Sequence, residues 1–411
     1  MRSLQKTSRR RTAAALLAVG ALAVAACGSD KPSAGTDTTA AGVAAKAATG
    51  TPIILGAVGS NTGVDIFPEP MKAAKAVFDG VNKSGGINGH PIQYLVEDDG
   101  NTAEGAAAAA KRLVEDKKVL AMVGGGSIVD CTTNAKYYTE KKMYSMPGAA
   151  ACVEASTISP VNTGPFLGTL MTFDYMVDVM KAEPLCMASL NVGLTPIFKD
   201  VFIPLWEKTT GKKLQALITT EPNEDLTNAV TKTKSEGCKG VLLAYTEPNY
   251  IAYFNIAKAQ GLTDGSIKYG MLTSGYSENV LSKIKDNGGE GAVTNSEWSP
   301  YLGDDDKTPE MVAFKKTMAD AKLQLTSFGQ GGYLAAKIMV DALKTVKGDY
   351  TQESVTAAML AASYTSTMFG VPFKFTPFVA GAQGNTSSKI VQIKGGKWVT
   401  ASDWVFWPPK K

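Results

Sequence analysis

The stretch that decides the fold is residues 69–126, EPMKAAKAVFDGVNKSGGINGHPIQYLVEDDGNTAEGAAAAAKRLVEDKKVLAMVGGG. Apolar residues recur at helical spacing over 73–81, and the Ser-Gly-Gly at 84–86 favours a helix end. The Asn-Gly at 88–89 tolerates the positive φ of a tight reversal, and residues 92–96 alternate in polarity as a half-buried strand does. This stretch therefore predicts a helix, a turn and a strand in close succession.

A second helix and a second strand follow at once. Helical periodicity covers residues 102–116, and residues 119–123 form a short apolar run that is typical of a buried strand. Strands separated by a helix and short connections pair in parallel through a right-handed crossover. The sequence therefore predicts an α/β fold with layered parallel sheets.

The N-terminal residues predict export. A basic stretch is followed by an unbroken apolar run at 13–26, and Val24-Ala25-Ala26-Cys27 resembles a bacterial lipobox. The run is too short to span a bilayer as a stable helix. We expect a lipoprotein signal peptide at 1–26, acylation of Cys27 and a flexible tether at 27–50 that anchors the protein to the cell membrane. A plain signal peptide with an incidental cysteine is the alternative, and the general and twin-arginine export routes both stay open.

The charge balance argues against nucleic acid as a partner. The chain has 42 Lys and Arg against 38 Asp and Glu, but five of the basic residues precede Cys27, which leaves 37 against 38. A near-neutral protein without a basic stripe lacks the charge that binding to a phosphate backbone requires. No second long apolar run predicts a membrane span.

Three segments carry a resemblance to a known family: GGINGHPI at 85–92, EDDGNT at 97–102 and RLVEDKKVLAMVG at 112–124. In this order they resemble the leucine-binding family of type I periplasmic solute-binding proteins, and a weaker similarity extends over residues 51–400. The resemblance implies two doubly wound parallel-sheet lobes joined by a multi-strand hinge. It also implies a monomeric binding protein, without cofactor, metal or catalytic activity, that delivers a small-molecule ligand to the membrane permease subunits of an ABC importer.

The part of the chain after the tether, about 360 residues, is long enough for two lobes. Strand patterns in the second lobe are predicted at 185–190, 214–219, 240–245 and 268–272. Because the family resembled crosses between its lobes three times, the long helical stretch 328–347 is expected to return to the first lobe. The expected division is lobe 1 at 51–168 and 296–360, lobe 2 at 169–295, and a C-terminal segment at 361–411 that returns to the hinge and lobe 2.

Four cysteines remain after the lipobox, and an even number in an oxidising compartment favours disulfides with three possible connectivities. In a doubly wound sheet of strand order 2-1-3-4-5, the first and third strands are neighbours. Cys186 and Cys238 lie at the starts of those strands in the second lobe, and Cys131 and Cys152 follow adjacent strands in the first. We expect the pairs Cys131–Cys152 and Cys186–Cys238. A metal site is the alternative, but no two cysteines have C-x-x-C spacing and His90 is the only histidine.

Ligands of open parallel sheets bind beyond the carboxyl ends of the strands. In the first lobe these ends lead into SNTG at 60–63, GGGS at 124–127 and PGAAA at 147–151. Small residues let a ligand approach the backbone, and free N–H groups at a helix start favour a carboxylate. An anionic or strongly polar head group is therefore expected on this lobe. GGGS lacks the Lys-Ser/Thr that a nucleotide-binding loop requires.

The resemblance assigns roles to residues of the first lobe. Ser127 matches the hydroxyl residue that contacts the ligand carboxylate. Gly148, Ala149 and Ala150 match a small-residue segment of the family, in which Ala150 replaces a hydroxyl residue. Phe67 is expected at the aromatic position of this lobe.

On the second lobe, Tyr245 keeps an aromatic position with Thr246 beside it. Tyr276 and Phe328 are further candidates for the walls of the pocket. Ser274 stands where the family has the acidic residue that binds an ammonium group. A buried ammonium without a carboxylate is costly. The ligand is therefore expected to be a branched-chain or hydrophobic amino acid, if Glu247 or Glu278 supplies the charge, or a hydrophobic or aromatic carboxylate without an amine.

Two other function classes are alternatives. A ligand sensor of the same fold would act without transport, although transcriptional relatives carry a DNA-binding helix-turn-helix where this chain has its export signal. A secreted hydrolase is less favoured, because His90 lies in a tight turn and no Ser-His-Asp or Cys-His arrangement is present. The adjacent Asp98 and Asp99 point to opposite faces of a strand, which predicts a solvated strand end and not a catalytic pair.

Overall fold

The computed structural model describes residues 47–63, 67–191, 194–303 and 306–410. The predicted signal peptide and Cys27 lie outside these residues. The described chain forms two mainly parallel sheets flanked by helices, which is the α/β fold that the sequence predicts. Among the helices of these residues, none is both long and apolar enough to cross a membrane.

The first sheet has six strands, all of them parallel to their neighbours. They are β1 (Ile53–Gly59), β2 (Ile92–Asp98), β3 (Ala121–Val123), β4 (Gly126–Ser127), β5 (Ser145–Met146) and β6 (Ala149–Ala150). β1 pairs with β2 on one side and with both β3 and β4 on the other, and these pair with β5 and β6. Gly124 and Gly125 separate β3 from β4, and Pro147 and Gly148 separate β5 from β6, so each pair behaves as one interrupted strand.

The second sheet has seven strands. Five are parallel: β7 (Leu185–Leu190), β8 (Leu214–Thr220), β9 (Gly240–Ala244), β10 (Lys268–Met271) and β11 (Val293–Ser296). Their order is β8-β7-β9-β10-β11, so the predicted 2-1-3-4-5 arrangement is confirmed. The antiparallel strands β14 (Ser387–Lys394) and β15 (Lys397–Phe406) extend the sheet beyond β11, and a small hairpin of β12 (Ser363–Tyr364) and β13 (Phe373–Lys374) precedes them.

The helices lie between these strands. Their bounds are α1 Glu69–Lys83, α2 Ala103–Lys111, α3 Asp130–Glu140, α4 Gly164–Asp178, α5 Leu194–Ile197, α6 Ile203–Thr210, α7 Thr227–Ser235, α8 Glu247–Ala259, α9 Glu278–Ile284, α10 Pro309–Asp320, α11 Ser327–Thr345 and α12 Gln352–Ala361. One π turn continues α2 to Asp116, and another, Phe198–Phe202, joins α5 to α6. The predicted helix at 328–347 is α11, which packs along α1 and reaches β3 and β6 of the first sheet.

The local chemistry of the deciding stretch explains its geometry. Thr102 begins α2 by accepting a hydrogen bond from the Gly105 N–H through its side chain. Between α1 and β2 the chain reverses at Asn88 and Gly89, whose φ angles are 50° and 84°. Two positive φ values in succession define the turn that Asn-Gly favours, and Ile87 pairs with His90 across it.

Three chain segments connect the two sheets and lie side by side. The first contains Asn162 between β6 and α4, the second contains Glu297 after β11, and the third contains Asn385 before β14. The Asn385 side-chain amide donates to the Glu297 carbonyl at 3.0 Å, and the Gln383 amide donates to the Asn162 carbonyl at 2.7 Å. Helix α4 packs against the second sheet, so the predicted boundary at residue 168 falls inside a helix of that lobe.

Each sheet carries one disulfide at its flank. Cys131 is bonded to Cys152, and Cys186 is bonded to Cys238. These are the two pairs that strand adjacency predicts. Both join elements that flank neighbouring strands, β4 with β6 in the first sheet and β7 with β9 in the second.

Candidate ligand-binding site

The predicted site residues gather at the carboxyl ends of the parallel strands. Ser127, Ala149 and Ala150 end β4 and β6 of the first sheet, whereas Tyr245 follows β9 and Ser274 lies three residues after β10. Such edges are where ligands of parallel sheets bind. The structure therefore puts most of the predicted residues on the two edges that a shared ligand would contact.

Ser127 is the polar side chain at the start of α3. Its Oγ accepts hydrogen bonds from the backbone N–H groups of Val129 at 3.2 Å and Asp130 at 2.9 Å. A hydroxyl is both acceptor and donor, so these bonds leave the Ser127 proton available for a ligand oxygen. The partial positive charge at the start of α3 favours an anion at the same place.

The sequence predicts that the glycines around Ser127 leave room for a ligand. In the structure, neighbouring protein atoms fill the space where their Cβ atoms would lie. A Cβ on Gly124 would lie 2.7 Å from the Ala74 Cβ of α1, and a Cβ on Gly126 would lie 2.8 Å from the Phe67 carbonyl oxygen. A Cβ on Gly148 would lie 2.6 Å from the backbone nitrogen of Gly332 in α11. Contacts this close leave room for hydrogen only. The Cα of Gly148 therefore packs against α11, and a ligand contact through the Gly148 backbone stays a prediction.

The first connecting segment holds the backbone of Ala150 through Asn162. The Asn162 side chain bonds both backbone groups of Ala150, with its Oδ1 3.4 Å from the N and its Nδ2 3.4 Å from the O. Ala149 and Ala150 pair with Gly126 and Ser127 in register. The position and orientation of Ala149 and Ala150 thus depend on the connecting segment that contains Asn162.

Asp98 ends β2 at a partly exposed position and also serves as a hydrogen-bond acceptor for a neighbouring loop. Its Oδ1 accepts from the backbone N–H groups of Asn61 at 2.9 Å and Thr62 at 3.2 Å, and its Oδ2 accepts from the Thr62 hydroxyl. Slight burial opposes ionisation, but the bonds from Thr62, Gly100 and Asn61 outweigh it and hold the pKa of Asp98 at about 2. Asp98 therefore fixes the loop that leaves β1.

Two half-buried aromatic rings flank this loop. The Phe67 and Phe328 rings meet edge to face with their centroids 5.2 Å apart. The Phe67 N–H donates to the Ser60 carbonyl at 2.7 Å, which ties the ring to the end of β1. Both predicted wall residues thus lie together on the first lobe, Phe328 in the first turn of α11.

On the second lobe, the hydroxyl of Ser274 already has partners. It lies 2.9 Å from the Tyr250 hydroxyl and 3.4 Å from the Tyr245 carbonyl oxygen. The Tyr245 ring is buried, with its own hydroxyl 3.3 Å from Thr220 Oγ1, and Thr246 donates to the Asn249 side chain at 2.6 Å. The position where the family has an acid is therefore a neutral hydroxyl network.

Tyr276, a predicted wall residue, packs among aromatic side chains. It is 1% exposed and lies in an aromatic cluster with the Tyr301 and Trp398 rings, at centroid distances of 4.7 and 5.3 Å. The Leu302 N–H donates to its hydroxyl at 2.9 Å. An aromatic residue after a strand can face the core as readily as the crevice, and the role of Tyr276 as a wall residue stays a prediction.

Acidic side chains come from both lobes. Burial raises the pKa of Glu69, the first residue of α1, and repulsion by Glu247, the first residue of α8, adds to the rise against the opposing effect of Lys72. One Glu69 carboxylate oxygen is buried and has no hydrogen-bond partner among the described residues. Glu278 is exposed beside a different cavity of about 350 Å³ next to Leu281 and Trp398.

Two buried hydroxyls lie at the strand ends: Ser60, in the SNTG loop that the sequence singled out, and Thr273, which it did not. Ser60 follows β1 and Thr273 lies two residues after β10, and both hydroxyl oxygens lack a hydrogen-bond partner among the described residues. Buried polar groups are nearly always hydrogen-bonded, so each of these hydroxyls is open to a water molecule or a ligand as partner. Their positions directly after strands were the available signal.

Glu297 is the other residue that the sequence did not single out. It is 0% exposed in the second connecting segment, and its Oε1 accepts from Asn162 Nδ2 and Thr163 Oγ1, each at 3.4 Å. Its Oε2 is buried without a hydrogen-bond partner among the described residues. Burial raises the pKa of this carboxyl to about 7. In the described ranges, no group of three or more His, Cys, Asp or Glu side chains is arranged to hold a metal ion.

Comparison with known proteins identifies the class. The family model described as "Periplasmic binding protein" matches residues 52–397. The chain therefore belongs to the periplasmic binding protein family, whose members are binding proteins and not enzymes, and the resemblance found in the sequence is confirmed.

Individual relatives are more distant. An amino acid binding protein of Pseudomonas aeruginosa is 25% identical over 224 residues, which cover 51% of this chain and 58% of that protein. The chain thus matches little more than half the length of this relative.

Solved structures share the fold. A fatty acid ABC transporter substrate-binding protein from Thermomonospora curvata has a TM-score of 0.72 at 18% identity, covering 89% of this chain and 95% of its own. The isoleucine complex of a branched-chain amino acid transporter substrate-binding protein from Streptococcus pneumoniae has a TM-score of 0.70 at 15% identity, with coverage of 87% and 100%.

Proposed function

We propose that this chain is the lipid-anchored solute-binding protein of an ABC importer, and that it captures a small hydrophobic solute with a carboxylate head by closure of its two lobes. The observation that carries the proposal is the pair of parallel sheets connected by three segments that meet around Glu297. Segments bonded side by side form a hinge, and a ligand that contacts both lobes favours the closed state.

The first lobe supplies the carboxylate site in this proposal. The Ser127 hydroxyl accepts from two N–H groups at the start of α3, which supports a role for its proton as donor to an anionic oxygen. The buried Ser60 hydroxyl is a second donor on the same edge, and Thr273 is its counterpart on the other lobe. Phe67 and Phe328 would contact the hydrophobic part of the solute.

Two ligand classes follow from the second lobe. Its hydroxyl network at Ser274 offers no charge for an ammonium, which favours a carboxylate without an amine. Glu69 and Glu247, which repel each other, would favour an amino acid whose ammonium lies near both. The relatives support each class: one structural neighbour is a fatty acid binding protein and another holds isoleucine.

Matched ligand pairs separate these classes. Leucine and 4-methylpentanoate differ only in the ammonium group, as do phenylalanine and 3-phenylpropanoate. A ligand at a hundredfold over its Kd raises the free energy of unfolding by about 2.7 kcal/mol, so thermal unfolding with each compound measures binding directly. If none of the four raises the melting temperature, and small-angle scattering shows no compaction with any of them, the proposed function is wrong for these solutes.

Substitutions then locate the ammonium site. Glu247→Gln should weaken leucine binding about tenfold or more and leave 4-methylpentanoate unchanged if the ligand is an amino acid, because only the ammonium senses this charge. Glu278→Gln, at an exposed position beside a different cavity, is the matched control. Equal weakening of both ligands would contradict an ammonium contact at Glu247.

Anchoring is a separate part of the proposal. The sequence Val24-Ala25-Ala26-Cys27 supports acylation at Cys27 and attachment to the outer face of the cell membrane, where the permease would meet the protein. Metabolic labelling with a palmitate analogue should label the wild-type protein, and Cys27→Ala should remove the label and release the protein from the membrane fraction. Labelling that persists in Cys27→Ala would contradict the anchor.

A further inference from the structure

The Cys131–Cys152 disulfide lies directly behind the carboxylate edge of the first lobe. Cys131 is the second residue of α3, four residues after Ser127, and Cys152 lies two residues after Ala150. Their Cα atoms are 5.5 Å apart, and the two side chains are 3% and 1% exposed. The bond therefore ties together the two loops that the proposed function assigns to the ligand head group.

Backbone hydrogen bonds also join these loops: the Gly148 and Ala149 N–H groups both donate to the Gly125 carbonyl, at 3.0 and 3.1 Å. β4 and β6 are two residues long, and their ladder consists of Gly126 with Ala149 and Ser127 with Ala150. On its other side β4 pairs with β1 through Gly126 and Gly59, and the Ser60 N–H donates to the Gly126 carbonyl at 3.0 Å. Short strands next to glycines are weakly specified, so a covalent tie contributes strongly to their relative position.

The space behind the loops is not fully packed. A cavity of about 10 Å³, enough for about one water molecule, is lined by Ser127, Cys131 and Ala150 among others. This small cavity lies beside the disulfide and between the two loops that it joins.

The second disulfide has a different place in the fold. Cys186 lies near the amino end of β7, and Cys238 precedes β9 by two residues. β7 and β9 are already joined by a ladder from Leu185 and Gly240 to Ser189 and Ala244. This disulfide lies at the end of the sheet opposite the ligand edge, which makes it a matched control.

We propose that the Cys131–Cys152 disulfide is a positioning element of the binding site, which fixes the Ser127 hydroxyl relative to the Ala150 backbone, whereas Cys186–Cys238 stabilises the second lobe without acting on the ligand. The predicted effect on ligand affinity rests on the proposed function. The predicted effect on amide hydrogen exchange rests on the structure alone. Loss of the first disulfide lowers the fraction of molecules with a competent edge, and the apparent affinity falls by the same factor.

The test compares Cys131→Ala/Cys152→Ala with Cys186→Ala/Cys238→Ala in the exported chain without its lipid anchor. Amide hydrogen exchange without ligand should speed up about tenfold in peptides covering residues 124–131 and 147–153 in the first variant and stay unchanged there in the second. Calorimetry with leucine and with 4-methylpentanoate should show about tenfold weaker binding in the first variant only.

A third variant separates the loss of the covalent bond from the loss of side-chain volume. Cys131→Val/Cys152→Ala refills the space of the disulfide, keeps the protein folded should the double alanine variant unfold, and should bind as weakly as the double alanine variant. Wild-type affinity in this variant, or equal exchange at the two loops in both alanine variants, would overturn the proposal. If neither compound binds the wild type, the assigned ligand class fails, and the exchange result still decides whether the disulfide positions the loops.

Discussion

Replacing Glu297 with glutamine should stabilise the protein increasingly as the pH rises above about 4.5 and leave it unchanged at lower pH. The carboxyl is fully buried, one of its oxygens has no hydrogen-bond partner among the described residues, and burial raises its pKa from the usual 4.5 to about 7. Glutamine has nearly the same shape as the protonated acid and does not ionise. The substitution therefore removes the ionisation and keeps the packing.

The sign follows from the two pKa values. The native pKa lies above the unfolded one, so the native state holds its proton more tightly, and the free energy of unfolding falls as the pH rises from about 4.5 to about 7. At pH values above this range, ionisation of Glu297 has lowered the free energy of unfolding by about 3 kcal/mol in total. Glu297→Gln should thus equal the wild type at pH 4.5 and exceed it by about 3 kcal/mol at pH 8.5.

Urea unfolding at a low, a middle and a high pH measures this difference. Glu154→Gln, at an exposed position of the first lobe, is the control and should follow the wild type at every pH. A constant difference between Glu297→Gln and the wild type across the pH range would show that Glu297 does not titrate in the native state. A Glu297→Gln variant that is less stable at pH 8.5 would show that the ionised carboxylate is stabilised by partners, and the reasoning would be wrong.

Substitutions at four further positions test the site and its supports. Gly332→Ala should lower stability by about 2–3 kcal/mol in thermal unfolding, because its Cβ would lie 1.9 Å from the Pro70 carbonyl oxygen. Gly80→Ala in α1, where a Cβ meets nothing within 4 Å, should instead raise stability by about 0.5–1 kcal/mol, and a loss there would contradict the packing argument. Asp98→Ala should lower the free energy of unfolding by about 1–2 kcal/mol and speed amide exchange at residues 61–62, since it removes their shared acceptor. The stabilisation by wild-type Asp98 should fade as the pH falls towards 2. Unchanged amide exchange in the variant would refute the role of Asp98 in fixing the loop. Ser127→Ala should weaken carboxylate binding about tenfold while Ser127→Thr retains it, and calorimetry that shows equal affinities would remove Ser127 from the site.

The order of the strands could be predicted because it depends on local pattern and on connection rules. Apolar runs of strand length, separated by helices with short turns, leave few allowed topologies. The disulfide pairs then followed from which strands are neighbours, and the structure has both. Each of these inferences uses residues close together in sequence or a rule that holds for all parallel sheets.

The roles of the small residues could not be predicted in the same way. A glycine after a strand leaves room, but the sequence does not show whether a ligand or a helix fills the room. The space beside the Gly148 Cα is filled by the backbone of Gly332 in α11, which lies far away in the chain. Tyr276 has the same ambiguity, because its ring turns to Tyr301 and Trp398, whose positions depend on the second crossing and on the last strand.

Glu297 shows why hinge residues are hard to recognise in a single sequence. It stands in the polar run Thr-Asn-Ser-Glu at 294–297, which resembles an exposed loop, and its burial appears only when Asn162 and Asn385 are brought to it from segments far away in the chain. A fold that crosses three times between lobes must bury backbone at the crossings, and buried backbone requires polar side chains as partners. Polar residues at the crossings therefore serve the connection between the lobes, and the ligand contacts must be sought at the strand ends, where Ser60 and Thr273 still lack partners among the described residues.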